Sequence, residues 1–319
     1  MKEYLLLLFS ATQFLIMLVF IFLSVAFFSL MERKILSYIH FRKGPNKVII
    51  MGLFQPFVDA IKLITKDDSP VSWSNKALFY LSPIFMLSLS LIIWIVFPFL
   101  WGELKTQNFS FLLIFFFLGM SVYGLIISGW SSNSKYAMLG SVRSIVQSIS
   151  YEVILSFLLL SLMVLVWSYS IHDFGSFKLM KVFLMAPFLF SIFSITALAE
   201  LNRSPFDLSE GESELVSGYS IEYGGIMYTM IFLSENVMIF FSSLLISYFF
   251  FNLSSTFMFF ILFSFMSFMI CLIRGIVPRL RYDILMYMCW VCLLPLAMVT
   301  LNLVWLLSLS APHPLTFIF

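Results

Sequence analysis

The stretch that decides the fold is YLLLLFSATQFLIMLVFIFLSVAFFSLM, Tyr4–Met31. Its 28 positions carry no charge, and the run stops only at Glu32-Arg33-Lys34. At about 1.5 Å per residue, roughly 20 apolar residues cross a bilayer, so this run is long enough to span one. A charged start before an apolar run can imitate a signal peptide. This run is too long for a signal-peptide core, and it ends on charges instead of a small-residue cleavage site. It reads as a retained first transmembrane helix.

Similar runs follow at Ala77–Leu100, Phe109–Trp130, Ile145–Ser170, Val182–Leu198, Tyr223–Phe251, Thr256–Ile273 and Ile284–Leu309. Residues 236–273 are uncharged but too short for two helices and a turn. Extending the sixth span back to Tyr223 resolves this, with Asn252, Ser254 and Ser255 marking the turn. Pro295 is expected to kink the eighth helix, which neighbouring helices make tolerable in lipid. The fold class is therefore all-α: a polytopic membrane protein with eight transmembrane helices, forming a single integral membrane domain over residues 1–319.

Composition agrees. Of the 319 residues, 61% are hydrophobic, 19% aromatic and 11% charged, against about a quarter charged in an ordinary soluble domain. A soluble enzyme, a nucleic-acid binder and a disordered chain are all excluded. Cys289 and Cys292 form a C-x-x-C, but Trp290 and Val291 between them make ordinary helix packing the expectation. His40, His172 and His313 fall outside the apolar runs, so no haem ligand lies at bilayer depth. The sequence carries no metal-binding motif, no phosphate loop and no Gly-rich nucleotide fingerprint.

Charge orients the chain. The loops after the first, third, fifth and seventh helices hold 14 of the 18 Lys and Arg, leaving Lys2, Lys105, Lys178 and Lys181 on the other side. The positive-inside bias puts those four loops in the cytosol or the mitochondrial matrix, and both termini opposite. Trp101, Trp130 and Trp167 fall at expected helix ends, as an interfacial belt requires. In the first loop Phe54, Phe57, Val58, Ile61 and Ile64 recur at helical spacing, which predicts an amphipathic helix at the surface within Gly52–Ile64.

The acids then stand out. Glu235 falls near the middle of the sixth helix and Glu152 about two turns into the fourth. A charge at the bilayer centre costs about 2.5–3.5 kcal/mol on insertion scales. Two readings fit: a proton relay, since carboxyls withdrawn from water hold protons more readily, or neutral Glu side chains hydrogen-bonded across helices. The loop between helices five and six gathers Glu200, Asp207, Glu210, Glu212, Glu214 and Glu222 around the single Arg203. It reads either as a solvated acidic turn or as crowded carboxylates that pass protons towards Glu152 and Glu235. On a helix Glu210 and Glu214 would share a face, with Glu212 opposite. The basic first loop is either a topogenic signal or a docking surface formed by Arg33, Arg42 and Lys43.

Taken in order, MERKILSYIHFRKGPNKV (Met31–Val48), GLFQPFVDAIKLITK (Gly52–Lys66), SSNSKYAMLGSVRSIVQSISYE (Ser131–Glu152), AELNRSPFDLSEGESELVSGYSIEY (Ala199–Tyr223) and RGIVPRLRYDILMYMCW (Arg274–Trp290) resemble the subunit 1 family of respiratory complex I. The resemblance covers the whole chain. Ser204 stands where the family more often has Thr, which leaves every charged position intact. The resemblance implies a membrane subunit of a proton-pumping NADH:ubiquinone oxidoreductase. In this reading Glu32, Arg33, Asp59, Arg274, Arg279 and Arg281 line or support a quinone chamber. Glu152, Glu200, Asp207, Glu210, Glu212, Glu214, Glu222 and Glu235 form an acidic proton path, with Arg143 as a counter-charge. It implies ubiquinone as substrate, with NADH, FMN and iron–sulfur clusters held by partner subunits and no cofactor on this chain. The implied partners are the hydrophilic quinone-module subunits, neighbouring membrane subunits and lipid, without nucleic acid.

Rival readings are an ion-coupled transporter, the related membrane subunit of proton-pumping hydrogenases, and a structural anchor. No similarity between the two halves supports a transporter built on inverted repeats. Phe outnumbers Ala by 40 to 10, a bias towards AT-rich codons that favours the mitochondrial inner membrane over a bacterial plasma membrane.

Overall fold

The computed structural model describes residues 2–68, 70–97, 109–176, 187–207, 218–251 and 256–310. Helices make up its regular structure, with no strand among the described residues. In order they are α1 (Lys2–Ile39), α2 (Gln55–Ile64), α3 (Lys76–Ile92, tightening to a 3-10 turn at Ile93–Val96), α4 (Ser110–Ser131) and α5 (Lys135–Val166). There follow α6 (Ile171–Ser176), α7 (Pro187–Glu200), α8 (Gly225–Phe251), α9 (Thr256–Ile276), α10 (Tyr282–Tyr287) and α11 (Leu294–Ser310). A π-helical turn, Met288–Leu293, joins the last two.

Seven helices are long and apolar enough to cross a membrane among the described residues, with α10, the π turn and α11 acting as one. The fifth expected span survives as the shorter apolar α7. Its first expected residues, 182–186, lie outside the described residues, as do Lys105, Lys178, Lys181, Trp101 and the expected turn at Asn252, Ser254 and Ser255.

Two boundaries differ from the hydropathy reading. Helix α1 runs through Glu32-Arg33-Lys34 to Ile39, because Glu32 and Arg33 are both paired there and charge therefore need not end the helix. Helix α5 begins at Lys135, ten residues before the expected Ile145. Its first turns lie against the Gly218–Ser220 segment, and a Cβ on Gly140 would come within 2.9 Å of the Gly218 Cα. Ser141 and Ser144 there are covered by protein, while Lys135 is exposed and Arg143 half-buried, so hydropathy did not mark the segment as membrane helix. Trp167 ends α5 in the left-handed region at φ 56°, its N–H bonded to Met163 O at 2.8 Å. Trp130 and Trp167 are both exposed at helix ends, where an aromatic belt would sit.

Helices α5 and α8 form the centre. Helix α5 packs on α4, α7 and α11, while α8 packs on α1, α3 and α9. Aromatic rings fill the space between them: Phe111 stacks on Phe249 at 5.4 Å, and Phe193 meets Phe250 at 5.7 Å. Serines inside these helices hide their hydroxyls by donating to the carbonyl three residues earlier, as Ser161, Ser243 and Ser247 do. Such back-bonding makes a polar side chain tolerable in an apolar bundle. Pro295 cannot donate a backbone hydrogen bond, and the π turn just before it lets the helix widen and continue. Cys289 in that turn is buried and donates to Ser150 O at 3.4 Å, while Cys292 is exposed.

The amphipathic α2 forms where expected. Pro56 starts it, and Phe57 packs edge-on against Phe27 of α1 at 6.1 Å. Val58, Ile61 and Ile64 remain exposed, an uncovered apolar face suited to a lipid surface.

Candidate functional site

Among the described residues, four ion pairs join separate elements. On the outer face of α1, Arg33 donates to Asp59 of α2 at 2.7 Å, and Gln55 Nε2 supports the same carboxylate at 2.8 Å. One residue earlier, Glu32 turns inward, is buried, and pairs with Arg274 in the last turn of α9. Neighbouring residues on one helix thus fasten it to two different partners.

Deeper in the bundle lies the second set. Glu235 is the eleventh residue of α8, about 15 Å from its start. Two groups meet it, Arg203 and Tyr219. Arg203 Nη2 approaches Glu235 Oε2 at 3.5 Å and Asn236 Oδ1 at 3.4 Å, and the Tyr219 hydroxyl donates to Glu235 Oε1. The cation that meets Glu235 is therefore Arg203, the one Arg in its loop. The sequence offered that signal without attaching it to an acid. Arg143, the expected counter-charge, lies nine residues before Glu152 on α5. At about 100° per residue the two sit on opposite faces of that helix.

A cleft opens between Glu235 and Glu200. Its empty volume, including its mouth, is about 790 Å³, and Tyr219, Ser90, Ser121 and Asn202 supply polar lining. Glu200 also lines a second, apolar cavity of about 310 Å³ with Leu155, Phe193 and Leu245. It stands at the junction of the two. Beyond it, Glu152 is close enough to Glu200 for their charges to act on one another. The Glu152 carboxylate occupies the notch left by Gly119 on α4, where an added Cβ would lie 2.5 Å from Oε1. Because α5 starts early, Glu152 is mid-helix, deeper than two turns.

The two charge sets meet at α9. Buried Cys271 is within electrostatic reach of Glu32, Arg274 and Arg203. Charged pairs thus stand at Arg33–Asp59, Glu32–Arg274 and Arg203–Glu235, the last lining the cleft it shares with Glu200, and Glu152 lies near Glu200. A further link is Arg279, which donates to buried Asp207 at 3.3 Å. Arg281 stays at the surface, paired with its near neighbour Asp283 at 3.0 Å. Glu222 is half-buried in the turn before α8. Glu210, Glu212 and Glu214, with their expected face sharing, lie outside the described residues.

Several residues had no motif to announce them. Tyr223 stacks on Phe79 at 4.2 Å and shares hydrogen bonds with Ser82 at 2.9 Å and Ser131 at 3.2 Å, fixing the entry to α8. Asp68 accepts the Ile226 N–H at 3.1 Å, a carboxylate at the positive end of α8. These contacts bridge distant parts of the chain, which local spacing cannot reveal.

Residues 12–305 match the NADH dehydrogenase family. The chain is 48% identical over 291 residues to NADH-ubiquinone oxidoreductase chain 1 of Locusta migratoria, covering 90% of this chain and 91% of that one. It is 45% identical over 291 residues to the protein of the same name in Apis mellifera ligustica, covering 90% and 94%. In Paracentrotus lividus the figure is 37% over 302 residues, covering 91% and 93%. The multi-pass helical fold, the paired charges at the loop ends and these likenesses agree: the chain belongs to the NADH-ubiquinone oxidoreductase chain 1 family.

Proposed function

We propose that this chain is the membrane subunit of a proton-translocating NADH:ubiquinone oxidoreductase that holds part of the quinone chamber and carries protons on a buried acidic path. NADH, FMN and iron–sulfur clusters belong to partner subunits, which deliver electrons to a quinone held between them and this chain. Reduction of the quinone to quinol consumes two electrons and two protons. The four charged loops face the matrix of the mitochondrial inner membrane, and the termini face the intermembrane space. Fourteen of the 18 Lys and Arg lie in those loops, which supports this orientation.

The observation that carries the reading is the set of charged pairs beside the shared cleft. Arg33, Asp59, Glu32, Arg274 and Arg279 form the chamber end, with Arg281 at its rim. Glu235, Glu200 and Glu152 form the path beyond it, reached through Arg203. Asp207, Glu210, Glu212, Glu214 and Glu222 extend the acidic series in the loop, with Arg143 as a further cation near it. A charge that develops on the reduced quinone changes the field at Arg274 and Arg203, both of them paired with acids. Shifting either pair shifts the protonation of its carboxylate. The cleft between Glu235 and Glu200 is roomy and polar enough for water to carry a proton onwards.

Replacing Arg33 with Ala, or Asp59 with Asn, tests the chamber end. Quinone reduction is expected to fall while NADH oxidation by a hydrophilic artificial acceptor persists. Unchanged quinone reduction in both variants contradicts the chamber assignment.

A further inference from the structure

Gln147 is the least explained polar side chain in the core. It is fully buried on α5, with no exposed surface. Its Nε2 donates to two backbone carbonyls, Ala199 O at 2.9 Å and Phe206 O at 2.9 Å. Both acceptors being carbonyls, the amide nitrogen must point this way. Its own Oε1 has no hydrogen-bond partner among the described residues, an unfavourable arrangement that packing alone would not select.

The two carbonyls immediately precede Glu200 and Asp207. Between them the chain leaves α7 through Asn202, at φ 49°, and closes with Phe206 N–H on Arg203 O at 2.9 Å. On its other side the same turn is held by the α9–α10 loop. Leu280 N–H donates to Pro205 O at 3.0 Å, and Arg279 pairs with Asp207. One amide nitrogen therefore clamps both ends of a turn that carries Glu200, Arg203 and Asp207. Only a side chain with two donors on one atom at this reach can do so. Glu has the same shape but offers oxygen to oxygen, and Met fills the space with no donor.

We propose that Gln147 is a positioning residue of the proton path, setting the position of Glu200 by closing the 199–206 turn onto α5. This rests on the relay reading above and deepens it. Gln147 touches neither quinone nor a carboxylate in the described contacts; it acts through the turn.

The test is a set of variants in the assembled complex: Gln147→Met, Gln147→Glu, Glu200→Gln and the double variant Gln147→Met with Glu200→Gln. Gln147→Met is expected to lower the maximal quinone-linked rate and proton translocation about tenfold, the scale of a small misplacement of catalytic groups. The KM for quinone should stay near wild type, and NADH oxidation by an artificial acceptor reports assembly. Gln147→Glu should also fall below wild type, because a carboxyl keeps at most one of the two donors. The double variant should be no slower than Glu200→Gln, since the two act as one unit. Multiplying effects in the double variant, wild-type pumping in Gln147→Glu, or wild-type pumping in Gln147→Met would each overturn the proposal. If Gln147→Met does not assemble, the rate of Gln147→Glu against wild type decides it: an isosteric variant with unimpaired pumping overturns the role. Wild-type pumping in Glu200→Gln would instead overturn the relay reading and leave the clamp geometry as found.

Discussion

Glu235 on α8 and Glu152 on α5 are both carboxylates inside an apolar bundle, and their surroundings are opposite. Glu235 is met by a cation and a phenol, Arg203 and Tyr219. Glu152 fills the notch left by Gly119 and is met by the like charge of Glu200. One site stores its carboxylate in a network of partners; the other only makes room. The difference suggests how a path can work in sequence. A paired acid responds to a distant charge through its cation, and an acid that has space but no cation responds to its neighbouring acid. The cleft lies between the two kinds of site, with Glu200 at its inner end.

Removing the cation should separate the two sites most sharply. Arg203→Met leaves Glu235 with Tyr219 and takes the positive charge from the middle of the run. Quinone-linked proton translocation is expected to fall by about a hundredfold, the low end of what a positioned proton-transfer group contributes. A fall of less than twofold would show that Arg203 does not link the sets. Tyr219→Phe removes one charge-assisted hydrogen bond, which is worth about 1.5–3 kcal/mol. A loss of roughly tenfold in coupled rate is expected, smaller than for Arg203→Met. Gly119→Ala pushes on Glu152 alone. A flexible carboxylate can swing aside, so roughly a threefold loss is expected, on the scale of a displaced catalytic group that partly recovers. An effect equal to that of Arg203→Met would erase the contrast between the sites. Least of all, Arg281→Ala breaks a pair in which both side chains are more than two-thirds exposed. Its coupling with Asp283 in a double-mutant cycle should be below about 1 kcal/mol, and its effect on quinone reduction should be less than that of Arg279→Ala.

The contrast also marks the limit of what local sequence carries. The apolar runs locate the membrane helices because lipid demands about 20 uncharged residues in a row, and α2 is written in its five spaced apolar residues. The start of α5 is not, because Lys135 and Arg143 interrupt the apolar run, while Gly140, Ser141 and Ser144 are buried by neighbouring protein. Glu235 and Glu152 are conspicuous through the cost of placing an acid in hydrocarbon. Their partners are not conspicuous. Arg203 precedes Glu235 by 32 residues, Arg274 follows Glu32 by 242, and Gln147 reaches carbonyls 52 and 59 residues away. Backbone carbonyls have no sequence signature at all, so the clamp at Gln147 could be found only in three dimensions.

The central claim is that the buried acids change protonation when quinone is reduced, and infrared spectroscopy of the assembled complex reads that directly. The reduced-minus-oxidised difference spectrum should contain protonated-carboxyl bands. Part of that signal should vanish in Glu235→Gln and another part in Glu152→Gln, and both variants should lose quinone-linked pumping while remaining assembled. Carboxyl bands identical to wild type in both variants, with full pumping, would contradict the account.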